Sequence, residues 1–195
     1  KVIIPTFISE SIGKFYYLEN PQRKKEVIEK TNIKGVGVSD GSFISQLVGG
    51  NLVANYNFYQ NYVPFFGKDF ASPIGENWKA KYSYFLGDTV NVEGRVCYQL
   101  DFVPKNSADL VFRGQMWIDT TSFALVQIDA VVGKGANLNF IERIKISQEL
   151  EQTSNGVWLP ARTRFLIDLE EISQGSAGML LKMYISNKDF VVNKP

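Results

Sequence analysis

The chain has no histidine and only one cysteine in 195 residues. Without histidine, neither a Ser-His-Asp nor a Cys-His catalytic arrangement can be built within it, and no histidine-containing metal site can form. One cysteine makes neither an internal disulfide nor a thiolate metal site. Gln99 and Asp101 share the alternation of Cys97 and place it on the polar face of a strand. No basic neighbour is evident to lower its pKa, so the expected role of Cys97 is a small structural filler. No apolar run reaches the roughly 18 residues of a membrane-spanning helix. The net charge is only +1, which lacks the basic excess that nucleic acid requires of a partner. No leader segment is visible, and the chain opens in strand-like sequence without Met. It reads as an excised or mature fragment, whose missing signal says nothing about compartment. No metal or cofactor is expected.

What the chain does have is alternation. Hydrophobic residues make up 45% of it, enough for a sizeable core. From Trp78 to Phe190 one strand-like run follows another. Leu110, Phe112, Met116 and Ile118 fall on one side, and Arg113 and Gln115 on the other. After the turn Asp119-Thr120-Thr121, Ala124, Val126, Ile128, Ala130 and Val132 alternate with Leu125, Gln127 and Asp129. Side chains in a strand point alternately to the two faces, so this is a sheet wet on one side. The predicted strands are Trp78–Leu86, Thr89–Val92, Arg95–Val103, Leu110–Asp119, Phe123–Val132, Arg143–Thr153, Val157–Ile172 and Gly178–Val192. Their connections are short, with Asn155-Gly156 the strongest hairpin signal among them.

The N-terminal part is more mixed. Val2–Ile8 and Lys14–Leu18 read as short strands separated by a loop at Glu10–Gly13. Asn20-Pro21 suits a helix cap and first helical position, which predicts a charged helix to Lys30. Its bland role is a solvated face, and a basic site for acidic lipid headgroups is the alternative. Phe43, Ile44, Leu47, Val48 and Leu52 repeat at helical spacing over Gly41–Asn55. Tyr56–Phe70 is rich in aromatic residues and interrupted by proline, which predicts short helical turns and loops. The whole is read as one domain, 1–195. Residues 1–40 hold strands and the charged helix, 41–75 a helical and aromatic insertion, and 76–195 the antiparallel sheet.

Few residues point to chemistry. Gly37-Val38-Ser39-Asp40-Gly41 matches the nucleophile-elbow pattern, but the histidine it needs does not exist. Gly133-Lys134-Gly135 is too short for a phosphate loop. Asp101, Asp129 and Asp168 share a parity with Arg113, Arg143, Arg162 and Arg164, the pattern of cross-strand ion pairs on a wet face. A paired-carboxylate glycosidase site would need two carboxyls facing one another in a cleft. The aromatic segment is either a plug that fills the apolar side of the sheet or a lid over an apolar cavity.

Several motifs carry a resemblance. They are Pro5–Ser11, Asn20–Ile28, Phe65-Phe66-Gly67-Lys68-Asp69-Phe70-Ala71-Ser72-Pro73, Met116-Trp117-Ile118-Asp119 and Ala136-Asn137-Leu138-Asn139-Phe140. In this order they resemble the middle region of a family of envelope proteins of Bacteroidetes-type bacteria. That region follows a carboxypeptidase-regulatory-like β-sandwich and precedes an outer-membrane β-barrel of the surface-antigen type. More distantly, Val92-Glu93-Gly94, Tyr98-Gln99-Leu100, Phe102–Lys105, Trp117-Ile118-Asp119 and Trp158-Leu159-Pro160 are similar to LolA/LolB-like lipoprotein carriers. Those carriers are half-closed barrels wrapped around helices that hold acyl chains. This chain departs from them by opening on strand-like sequence.

Taken together, these readings lead us to expect a mostly β fold: an antiparallel, curved sheet or half-open barrel with short helices on its concave face. The resemblance implies a non-enzymatic periplasmic module of an outer-membrane protein, associated with the adjacent β-barrel domain. Such a module would bind an acyl chain or other apolar ligand, bind a partner segment, or support the barrel. The expected cavity lining is Phe43, Leu47, Leu52, Phe66, Phe112, Met116 and Ile128. The competing class is a hydrolase or carbohydrate-binding domain that uses surface carboxylates and aromatics.

Overall fold

A computed structural model describes residues 7–18, 21, 23–35, 56–65, 67–132, 138, 141–169 and 179–192. The chain divides into two compact units, 1–56 and 57–195.

The first unit holds one long hairpin of β1 (Phe7–Leu18) and β2 (Arg23–Gly35), paired antiparallel. Two expectations are corrected here. The charged segment expected as a helix from Asn20 to Lys30 is a strand from Arg23 onward. The loop expected at Glu10–Gly13 lies inside β1, where the register shifts at Ile12/Gly13. A helix at Asn20–Lys30 would carry only Val27 and Ile28 to bury, too little apolar surface to hold it. Val27, Ile28, Thr31 and Ile33 are β-branched and favour the extended chain. Pro21 sits in the connecting turn rather than at a helix start.

The second unit is built on a seven-stranded antiparallel sheet in which every strand pairs with its sequence neighbours. Its strands are β5 (Tyr82–Val92), β6 (Arg95–Pro104), β7 (Arg113–Asp119), β8 (Leu125–Val132), β9 (Ile141–Gln152), β10 (Trp158–Leu169) and β11 (Met179–Ser186). Predicted strands Trp78–Leu86 and Thr89–Val92 are in fact one, with a bulge between Leu86 and Thr89 where a turn was expected. Trp78–Lys81 forms a single helical turn, α1. The Glu93-Gly94 turn has both residues at positive φ, +48° and +85°, the conformation a tight two-residue hairpin demands. Gly114 serves differently. A Cβ there would stand 1.8 Å from the carbonyl oxygen of Asp129, so only glycine lets β7 and β8 close at that point.

The aromatic segment also departs from expectation. Instead of helical turns it forms a small hairpin, β3 (Tyr62–Phe65) and β4 (Lys68–Ala71), turning at Gly67 with φ +72°. Val63, Phe65 and Phe70 point inward, while Tyr62 and Pro64 point out. The helical face expected over Gly41–Asn55 lies outside the described residues.

The core lies between this small hairpin and one face of the sheet. Phe58, Phe65, Phe70 and Phe112 are each at most 1% exposed. Phe112 meets Phe70 at 5.3 Å between ring centroids, Phe58 at 5.5 Å and Phe65 at 6.1 Å, and Phe65 also meets Phe165 at 6.0 Å. Most of these are edge-on contacts, which add to the burial energy of the rings. Ile128, Ala130, Ile144, Ile146 and Ile167 extend the same face. Within it, Gln148 donates to Thr163 Oγ1 at 3.1 Å, a buried polar pair set side by side by the β9–β10 register.

Candidate functional site

The opposite face of the sheet carries the charges. Register places Gln115, Asp129, Ser147, Arg164 and Tyr184 in one row across β7 to β11. The adjacent row runs Arg113, Val131, Lys145, Leu166 and Lys182. Asp129 and Asp168 thus share a face with Arg113, Arg143, Arg162 and Arg164, as their parity predicts. Arg143 pairs with Asp168 at 3.6 Å.

Arg162 is the centre of this face at one end. It donates through Nε to Glu149, through Nη2 to Glu93 at 2.6 Å and through Nη1 to Glu151 at 3.3 Å. Glu149 also pairs with Arg164 at 3.5 Å. Glu93 sits in the β5–β6 turn, yet β7, β8 and β9 lie between β6 and β10 in the sheet. The contact therefore requires the sheet to curl toward its charged side at this end. Arg95 over the Trp158 ring, 4.8 Å from its centroid, is a second bridge between β6 and β10. Three carboxylates converge here, and all three are bonded to one guanidinium. This is an ion-pair clamp that holds the curl.

Cys97 and Asp119, partners in the β6–β7 register, are buried at the same end. Burial is the first cause that pushes the Cys97 thiol up, followed by the nearby Asp119 charge. It is therefore a poor nucleophile. The Asp119 carboxylate accepts from the Ser122 backbone N–H and from Ser122 Oγ, both at 2.7 Å. These bonds hold its carboxyl below the usual carboxylate range. A depressed folded pKa adds stability that is fully present above the unfolded value of about 3.9 and lost as pH falls through the folded value. Asp119→Asn is expected to lower stability at neutral pH and to converge on the wild type in acid, as measured by denaturant melts over a pH series. A constant offset at every pH would show that the turn does not use the charge.

Beside the clamp, over β8 to β11, the charged face holds an open groove of about 480 Å³ lined by Asp129, Lys145, Ser147, Arg164, Lys182 and Tyr184. Lys145, Arg164, Lys182 and Tyr184 are exposed, Tyr184 to 71%. Asp129 Oδ1 is shut off from solvent and accepts no hydrogen bond among the described residues. The groove thus combines cations and an exposed aromatic ring above an inward-facing carboxylate oxygen. Sequence reading placed Asp129 and Arg164 on one face but did not find the groove, because Lys145, Lys182 and Tyr184 come from strands whose register only the fold sets.

The residues expected to line an apolar cavity fall elsewhere. Phe112, Met116 and Ile128 are brought together on the opposite face as packed core, with Phe112 under the aromatic hairpin. Phe43, Leu47, Leu52 and Phe66 lie outside the described residues. No group of three or more potential metal ligands occurs among the described residues, and none of their helices is long and apolar enough to cross a membrane.

Fold and site together define a mostly β protein: a curved antiparallel meander with an aromatic hairpin on one face and a charged groove on the other. The chain belongs to DUF5686, a family of unknown function, whose model matches residues 3–186. No curated protein and no solved structure matches it.

Proposed function

We propose that this chain is a non-enzymatic module of the cell envelope, periplasmic and joined to an outer-membrane β-barrel, that supports the barrel and engages partner segments on its outer surface. The envelope setting is supported by the resemblance in motif order noted above. The observation that carries the mode of action is the packed apolar face. Phe58, Phe65 and Phe70 fill the side of the sheet on which a lipoprotein carrier would hold acyl chains. Binding an acyl chain inside the domain is the narrower form of this reading, and Phe43, Leu47, Leu52 and Phe66, the other residues expected to line its cavity, lie outside the described residues. The test is to titrate the purified chain with fatty acids and a hydrophobic dye while assaying ester, peptide and glycoside hydrolysis. The expected result is no saturable uptake into the native fold and no turnover. Robust turnover abolished by Ser39→Ala or by a single Asp→Asn change would overturn the reading.

The groove favours a second reading, a carbohydrate-binding domain. An acidic substituent can pair with Lys145 or Lys182, and Tyr184 offers an exposed ring to stack on. Under this reading an anionic oligosaccharide binds the wild type, and Lys182→Ala and Tyr184→Ala each weaken it without changing the melting temperature.

A further inference from the structure

The two faces of the β1–β2 hairpin differ in charge. Register sets Ile8, Glu10, Ile12, Lys14, Tyr16 and Leu18 on one face, opposite Lys34, Asn32, Lys30, Val27, Lys25 and Arg23 respectively. The apolar members of this face are all exposed: Ile8 to 56%, Ile12 to 64%, Tyr16 to 53%, Leu18 to 51% and Val27 to 37%. Its cations outnumber its carboxylates. Lys14 is taken up by Glu29 at 2.7 Å. Arg23, Lys25, Lys30 and Lys34 have no ion pair among the described residues, and the acids of that face are Glu10 and the Glu29 that meets Lys14. The other face carries Phe15, Tyr17 and Ile28 with Ser9, Ser11 and Thr31, and Glu26 is its one charged side chain among those described.

A hairpin of two strands alone is marginal in water, and one that exposes this much apolar surface is completed by something that covers it. The covering surface must accept aliphatic and aromatic side chains between fixed positive charges. Such interleaving suits the boundary of an anionic bilayer, where apolar groups enter the headgroup–acyl boundary and lysines meet the headgroups. The strands extend roughly 40 Å, so the basic positions are spread along a line rather than gathered into a pocket. We propose that the Ile8–Leu18/Arg23–Lys34 face of the hairpin docks flat on a membrane surface bearing anionic lipid headgroups. This stands independently of the reading above, since it rests on the hairpin alone.

The experiment is vesicle flotation of the whole chain with phosphatidylcholine vesicles and with vesicles in which part of that lipid is replaced by phosphatidylglycerol. The wild type should float with the anionic vesicles only, and added salt should release it. The triple variant Lys25→Glu/Lys30→Glu/Lys34→Glu should bind at least about tenfold more weakly, since each cation near an anionic surface adds a several-fold factor. Ile12→Ser/Tyr16→Ser should also weaken binding, by removing the apolar share. These positions are exposed, so melting temperature should hold in both. Lys145→Glu/Lys182→Glu, on the charged face of the sheet, should float like the wild type. The proposal is overturned if neutral and anionic vesicles bind alike, if the triple variant floats as well as the wild type, or if the Lys145/Lys182 variant loses binding to the same extent. Absence of flotation with either vesicle also overturns it and leaves a protein surface as the hairpin's cover.

Discussion

Phe112→Asp is expected to abolish the native fold of residues 57–195. Phe112 is fully buried, and its ring meets three others from the 57–71 segment. An aspartate would forfeit those contacts and bring a charge into the core with no cation to pair with, a cost of several kcal/mol against a total stability of about 5–15 kcal/mol. The milder Phe112→Ala should cost about 3–5 kcal/mol by burial loss and cavity formation. Arg113→Asp, one residue along, changes an exposed position on the wet face and should cost about 1 kcal/mol or less. Urea unfolding of the three variants decides the matter. Similar losses for Phe112→Asp and Arg113→Asp would show that the two faces are not distinct.

The second large effect is expected from removing a single oxygen. Tyr82 is buried, and its hydroxyl donates to the Ala71 carbonyl at 2.6 Å while accepting from the Phe112 backbone N–H at 3.0 Å. It therefore bridges the end of β4 to the segment entering β7. Burial pushes the phenol well above its ordinary range, so it remains a neutral donor across all working pH. Tyr82→Phe keeps the ring but leaves two backbone groups without this partner, each costing about 1–3 kcal/mol when buried. The expected loss is about 2–4 kcal/mol, with the largest gain in hydrogen exchange at Phe112. Tyr84→Phe is the comparison. Its hydroxyl donates to the Pro73 carbonyl, and burial pushes that phenol up to about 12, but the site is half-exposed and water can substitute. A Tyr82→Phe loss no larger than that of Tyr84→Phe would show that the bridge does not tie β4 to β7.

Much of the sheet was legible because period-two alternation is a local signal. Val126, Ile128, Ala130 and Val132 are read as one face from spacing alone, and all four are buried. The glycines of Asn155-Gly156 and Glu93-Gly94 mark turns by their tolerance of positive φ, and they stand at +81° and +85°. Where local signals conflicted with pairing, pairing won. Asn20-Pro21 and the following charges look like a helix start, but β1 offers β2 a full ladder of partners. Trp78–Lys81 alternates well enough for a strand, yet β6 ends at Pro104, opposite Tyr82, and beyond it the only backbone bond to this segment among the described residues runs from Lys105 N–H to the Lys81 carbonyl at 2.8 Å. The aromatic segment 56–70 was legible as something that meets the sheet. That it does so as a hairpin depends on Gly67 reversing the chain, a one-residue detail within a proline-broken run.

By itself the sequence determined that this protein is mostly β, wet on one face of its sheet, and without the histidine needed for triad or imidazole–metal chemistry. These follow from composition and from the two-residue period of an extended chain. The tertiary structure alone decided which charges meet. Glu93 and Arg162 are 69 positions apart and reach one another because the sheet curls. The groove of Asp129, Lys145, Lys182 and Tyr184 exists because strand register lines up residues from three strands. Curl and register are properties of paired strands, set by twist, bulges and turn length, and no single strand carries them.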